Sequence, residues 1–119
     1  MHQRKTGGLI RAATVSGAIM AGGTDEQIDG LDRFACELGL VFQIIDDVLD
    51  VEGASDALGK TPGKDAARGK PTYPAMFGLA RSRELAAEGL ERAEDALSGA
   101  GIQGRWLNDI ARWVVTRRC

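Results

Sequence analysis

Asp46, Asp47 and Asp50 stand within the short run Asp46-Asp47-Val48-Leu49-Asp50, with Gln43 one turn before it. On a helix turning roughly 100° per residue, Asp46, Asp50 and Asp47 fall at about 0°, 40° and 100°, with Gln43 near 60°. Ile44, Ile45, Val48 and Leu49 spread over about 160° to 300° of the same wheel, so one face is polar and the other is core. Three carboxylates on one face repel one another unless a cation neutralises them. Hard oxygen ligands of this kind suit Mg²⁺, which completes its octahedron with water and substrate phosphate. The pattern points to a metal-diphosphate site. A bare acidic face is more often simply solvated, so the surrounding chain has to decide.

The segment that follows changes character. Gly53, Gly59, Pro62, Gly63 and Gly69 punctuate the stretch from Glu52 to Pro71, and Lys60, Lys64, Arg68 and Lys70 make it locally basic. It reads as a long loop with a short helical turn near Asp65 to Arg68, and loops of this length inside a compact domain are usually functional or disordered. Returning beside the acidic face, it can set the ammonium groups of Lys60 and Lys70 around phosphate oxygens bridged by the metal. The plainer alternative pairs these lysines with Asp56 or Asp65 at the surface, where such pairs contribute little.

Helices must position these groups. Leu9, Ile10, Ala13, Val15, Ala18, Ile19 and Met20 predict a helix from about Lys5 to Ala21, rich in small residues and ended by Gly22-Gly23. Thr24 with Gln27 three positions later is a capping-box signature for a second helix, Asp25 to about Val51. After Pro71-Thr72, a third helix is expected over Tyr73 to Leu97, stopped by Ser98-Gly99-Ala100-Gly101. A fourth runs from Arg105 to about Arg117, with Trp106, Ile110, Trp113 and Val114 at core spacing. No segment alternates as a strand, so the chain reads as all-α, without repeats or low-complexity tracts.

Composition fits one soluble globular domain: 119 residues, 44% hydrophobic and 27% charged. A formal net charge of -2 argues against a nucleic-acid partner. Two cysteines, Cys36 and Cys119, give neither metal spacing nor a disulfide framework, so a reduced cytoplasmic setting is expected and Cys36 reads as a buried or half-buried thiol. No apolar run approaches the roughly 20 residues of a membrane span, and no charged-then-apolar leader opens the chain.

Taken in order, Lys5-Thr6-Gly7, then Gly39-Leu40-Val41-Phe42-Gln43-Ile44-Ile45-Asp46-Asp47-Val48-Leu49-Asp50, then Leu58-Gly59-Lys60 and Gly69-Lys70-Pro71-Thr72-Tyr73-Pro74 resemble the trans-isoprenyl diphosphate synthases. The closest likeness is to the bacterial farnesyl and geranylgeranyl diphosphate synthases, and it covers the whole chain. The resemblance implies the C-terminal helices of the isoprenoid synthase bundle. It also implies a reaction in which an allylic diphosphate ionises, isopentenyl diphosphate attacks the carbocation, and a proton leaves to pyrophosphate. On that resemblance Asp46, Asp47 and Asp50 are Mg²⁺ ligands, the first directly and the others mainly through water. Lys5, Lys60 and Lys70 hold the allylic diphosphate, and Thr6 and Gln43 line the allylic end of the cavity. Arg117 and Arg118 resemble a basic tail that in some members closes over isopentenyl diphosphate, although cations suit a helix C-terminus anyway. A homodimer is implied for the full-length form.

The chain departs from the family's pattern in one respect that matters. The family carries a first Asp-rich motif on an earlier helix, and no other cluster of this kind occurs among the 119 residues. Met1-His2-Gln3-Arg4 directly precedes Lys5-Thr6, inside what is a continuous helix in the family. The expectation is therefore that residues 1–119 are the C-terminal portion of a polyprenyl synthetase domain, catalytically incomplete alone. A non-catalytic helical interaction subunit is the alternative, because a part-bundle leaves apolar surface uncovered.

Overall fold

The computed structural model describes residues 2–56 and 71–118, and these form α1 (His2–Met20), α2 (Asp25–Asp56), α3 (Tyr73–Gly99) and α4 (Arg105–Thr116). No strand occurs among the described residues. Lys60, Lys70 and the expected turn near Asp65 lie outside them.

Helix α2 is central and packs against the other three. Phe34, Leu38, Val41, Ile45 and Val48 recur at four- and three-residue steps along it, and all are buried. The facing stripe of α3 is small: Ser82, Ala86, Gly89 and Ala93, closed by Leu97, are buried too. Small residues let the two backbones approach. A Cβ at Gly89 would stand 2.6 Å from Val41 Cγ2, and one at Gly30 would stand 2.4 Å from Ala100 Cβ. The ion pairs Glu37–Arg92 and Glu52–Arg83 fix α3 antiparallel to α2. On the other side Arg11 pairs with Asp32, and Gly39 meets Gly7, so α1 is also antiparallel to α2. Continuing that register brings Thr6 and Lys5 toward the level of Gln43.

The local signals behave as their chemistry requires. Thr24 N donates to Gln27 Oε1 (2.9 Å) and Gln27 N to Thr24 Oγ1 (3.1 Å), the reciprocal bonds of a capping box. Gly22, at φ 75°, turns the chain out of α1 as only glycine does easily. Helix α2 runs to Asp56, one turn and more beyond the expected Val51, because a single Gly53 costs only about 1 kcal/mol against alanine. Helix α3 is not continuous: Gly78 (φ 84°, ψ 164°) breaks it after its first turn. Ser82 Oγ then donates to the Gly78 carbonyl (2.7 Å), satisfying the acceptor that the kink leaves open.

Two expectations are corrected. Trp106 and Trp113 are 81% and 60% exposed, and Ile110 is 50% exposed; only Val114 of the four is buried. The buried row of α4 is Ala111 and Val114, one step around the helix, and the tryptophan row is left largely exposed. Cys36 is exposed rather than buried. It sits on α2 beside Arg33 and Glu37 and lines, with Arg92 and Asp95, a cleft of about 410 Å³.

Candidate functional site

The acidic face of α2 is divided between two environments. Asp46 and Asp50, one turn apart, line a cleft of about 490 Å³ together with Leu49, Glu52, Arg83 and Arg118. Arg83 Nη2 donates to both oxygens of Glu52, at 2.8 and 3.0 Å. Carboxylates and guanidinium groups thus share one concavity, the former suited to a divalent cation and the latter to phosphate oxygens.

Asp47 faces elsewhere and is 7% exposed. Its Oδ1 accepts from Gln43 Nε2 (2.8 Å) and its Oδ2 from the backbone N–H of Tyr73 (3.2 Å). Tyr73 opens α3, where the first backbone N–H groups have no partner within the helix. Asp47 takes the first of them. Pro74 has none to offer, Thr72 Oγ1 accepts from Ala75 N (3.2 Å), and the Thr72 carbonyl accepts from Met76 N (3.1 Å). The Thr72-Tyr73-Pro74 sequence and Asp47 together account for the whole first turn. Burial pushes the Tyr73 phenol above its ordinary range, with the Asp47 charge adding to the shift.

Beyond the end of α4, Arg117 reaches across α2. Its Cζ lies 4.4 Å from the centre of the Phe42 ring, and its Nη2 lies 3.6 Å from Asp46 Oδ1. Lys5 is exposed and Thr6 half-buried on α1. Of the expected site residues, the structure therefore brings Asp46 and Asp50 together and joins Gln43 to Asp47. Among the described residues, no three carboxylate, cysteine or histidine groups converge to enclose a metal. Two carboxylates beside arginines nevertheless suit Mg²⁺, which is commonly held by one or two carboxylates, water and substrate phosphate.

Sequence reasoning missed Arg83 and Glu52 as cleft residues and missed the Asp47 to Tyr73 link. The first depends on how α3 lies on α2. The second spans 26 positions, although Thr72 and Pro74 do mark a helix start needing an acceptor.

Residues 1–98 match the family model described as polyprenyl synthetase. The chain belongs to the polyprenyl synthetase family. It is similar to geranylgeranyl pyrophosphate synthase 3, chloroplastic, of Arabidopsis thaliana, 48% identical over 99 residues, which is 83% of this chain and 28% of that protein. It is 44% identical over 117 residues to a dimethylallyltranstransferase of Fischerella ambigua (strain UTEX 1903), covering 98% of this chain and 34% of the relative. With geranylgeranyl pyrophosphate synthase 10, mitochondrial, of Arabidopsis thaliana it shares 44% over 119 residues, 99% of this chain and 35% of the relative. The chain thus spans about a third of the length of these curated relatives. Its all-α architecture is consistent with the isoprenoid synthase fold of the polyprenyl synthetases. No helix among the described residues is long and apolar enough to cross a membrane.

Proposed function

We propose that this polyprenyl synthetase chain supplies the allylic-diphosphate half of a short-chain trans-prenyltransferase site of the farnesyl or geranylgeranyl diphosphate synthase kind. The observation that carries this reading is the cleft in which Asp46 and Asp50 meet Arg83 and Arg118. Asp46 and Asp50 would hold Mg²⁺, with Asp47 contributing through water from its anchored position. When bound, Mg²⁺ stabilises the charge that builds on a departing pyrophosphate. Lys5, Lys60 and Lys70 bind the diphosphate oxygens of the allylic substrate. Thr6 and Gln43 line the end of the cavity where positive charge develops, and isopentenyl diphosphate is the second substrate. Stabilising the leaving group is the main electrostatic task of such a site. We read the chain as a C-terminal portion, residues 1–119, that needs a first Asp-rich motif from elsewhere, within a dimeric full-length form in the cytoplasm.

Calorimetric titration of the chain with pyrophosphate tests the reading. Binding is expected only with Mg²⁺, and the Asp46→Ala, Asp50→Ala double variant is expected to remove it. Binding that ignores both Mg²⁺ and the double substitution overturns the assignment. Robust product from the isolated chain, given dimethylallyl diphosphate, isopentenyl diphosphate and Mg²⁺, overturns its incompleteness.

The exposed row Trp106, Ile110 and Trp113 favours a second reading, a helical interaction subunit derived from a prenyl synthase. Sedimentation across a wide concentration range tests it. A monomer throughout, with no association, argues against it.

A further inference from the structure

Arg117 is poorly satisfied for a guanidinium so little exposed. Its side chain is 11% exposed, and its Nε and Nη2 are buried without a hydrogen-bond partner. Burying open donors of a cation is costly unless a charge compensates. The compensation comes from two directions: the face of Phe42 at 4.4 Å, and the Asp46 carboxylate at 3.6 Å, near enough for charge attraction but beyond a hydrogen bond. The backbone holds the residue there, since Arg117 N donates to the Trp113 carbonyl (2.9 Å) and closes α4.

We propose that Arg117 is an internal counter-ion of Asp46, a positioning residue that a divalent cation must displace to load at Asp46 and Asp50. The inference rests on the metal-binding role given above to that pair. A cation approaching Asp46 meets the Arg117 charge already beside Oδ1, which lowers its affinity until the guanidinium moves away. Once displaced, the guanidinium loses its counter-ion and leaves the Phe42 ring, so cation loading releases the end of the chain from α2. Among the described residues, Arg118 and Arg83, the latter held by Glu52, are the other cations that line the cleft. Of these three, Arg117 forms the ion pair with Asp46, which makes it the group whose removal that carboxylate should register most.

Mn²⁺ alone is the probe, and its free fraction is read by electron paramagnetic resonance with the intact chain at low ionic strength. Arg117→Gln is expected to bind Mn²⁺ about tenfold more tightly than the parent, a modest share of the unscreened attraction because Asp46 is half exposed. Arg117→Lys, which keeps the charge, stays within about threefold of the parent. Arg112→Gln, which breaks only the remote pair with Glu94, leaves affinity unchanged. Phe42→Leu removes the ring that anchors the guanidinium and tightens binding about threefold, so it serves if Arg117→Gln fails to fold by circular dichroism. A folded Arg117→Gln with unchanged or weaker affinity overturns the inference. If the parent binds Mn²⁺ through Asp46 and Asp50 while no Arg117 or Phe42 variant differs, this inference alone falls. Absence of Mn²⁺ binding in every protein overturns both it and the metal role on which it rests.

Discussion

Asp47→Ala, studied with a chelator present, is expected to destabilise the fold by about 2 kcal/mol through the start of α3 rather than through any metal. The substitution removes the acceptor of both the Tyr73 backbone N–H and the Gln43 side-chain amide. Hydrogen bonds to a charged acceptor contribute about 1.5–3 kcal/mol each when buried, but water can reach half-buried Tyr73 and Gln43 and recover part of that. The carboxylate's attraction to the helix N-terminus adds about 0.3–1 kcal/mol. Better helix propensity of alanine at a mid-helix position returns roughly 0.5 kcal/mol, and less repulsion from Asp46 and Asp50 returns a little more. A net loss near 2 kcal/mol results, or on the order of 10 °C in melting temperature for a chain of this size. Asp47→Asn should cost less, about 0.5–1 kcal/mol, because its oxygen still accepts from Tyr73 and a rotated Gln43 amide can accept from its nitrogen. Urea unfolding followed by far-ultraviolet circular dichroism measures both. A double-mutant cycle sharpens the test: Thr72→Ala alone should cost about 1 kcal/mol. In the Asp47→Ala background it should cost under about 0.5 kcal/mol, since the same first turn is already released. Stability of Asp47→Ala within about 0.5 kcal/mol of the parent would refute the reasoning.

Tyr73 is the one tyrosine in the chain, so its tyrosinate absorbance reports a single group. It should titrate above its ordinary value of 10.0, and Asp47→Asn should bring it part of the way back, leaving the shift that burial causes. Because the folded state holds this proton more tightly, the stability contributed by neutral Tyr73 is full below pH 10.0. It falls as pH rises from there through the folded-state value, so parent and Tyr73→Phe should diverge only in that alkaline window. Gly30→Ala should destabilise despite a propensity gain of about 1 kcal/mol, because the new methyl meets Ala100 Cβ at 2.4 Å. Ala100→Gly in the same chain should restore part of the loss by urea unfolding. Exposed Cys36 should react with a thiol reagent in the folded Cys119→Ser variant as fully as it does in urea.

What the sequence made legible was local. The capping box of Thr24 and Gln27, the stop at Gly22 and the placement of Asp46 and Asp50 one turn apart all depend on residues within four positions, and each stands as expected. Fold class follows for the same reason, from helical periodicity along four segments. The surprises depend on which row of a helix finds a partner. Helix α4 carries two adjacent apolar rows, and periodicity could not say that α2 and α3 would cover Ala111 and Val114 while leaving Trp106 and Trp113 open. Likewise nothing local distinguishes Gly78 from an ordinary helical glycine, yet it takes a positive φ and separates the first turn of α3, whose Tyr73 N–H bonds Asp47, from the rest of the helix.

That division also revises the electrostatic premise for the acidic face. Three neighbouring carboxylates seemed to require a cation, yet the fold relieves much of their repulsion from within. Asp47 spends its charge on the N-terminus of α3 and on Gln43, while Asp46 faces the guanidinium of Arg117. Asp50 sits one turn further along, in the cleft that Arg83 and Arg118 enter. Asp46 and Asp47 thus have partners within the fold before any cation arrives. A divalent cation then has to compete with Arg117 for Asp46 but not with α3 for Asp47. Cation loading should accordingly alter the end of α4 while leaving the α2 to α3 junction in place. Hydrogen exchange would show this directly: with Mn²⁺ or Mg²⁺ bound, protection should drop at the Arg117 amide and hold at the Tyr73 amide. Loss at Tyr73 would place the cation on Asp47 instead.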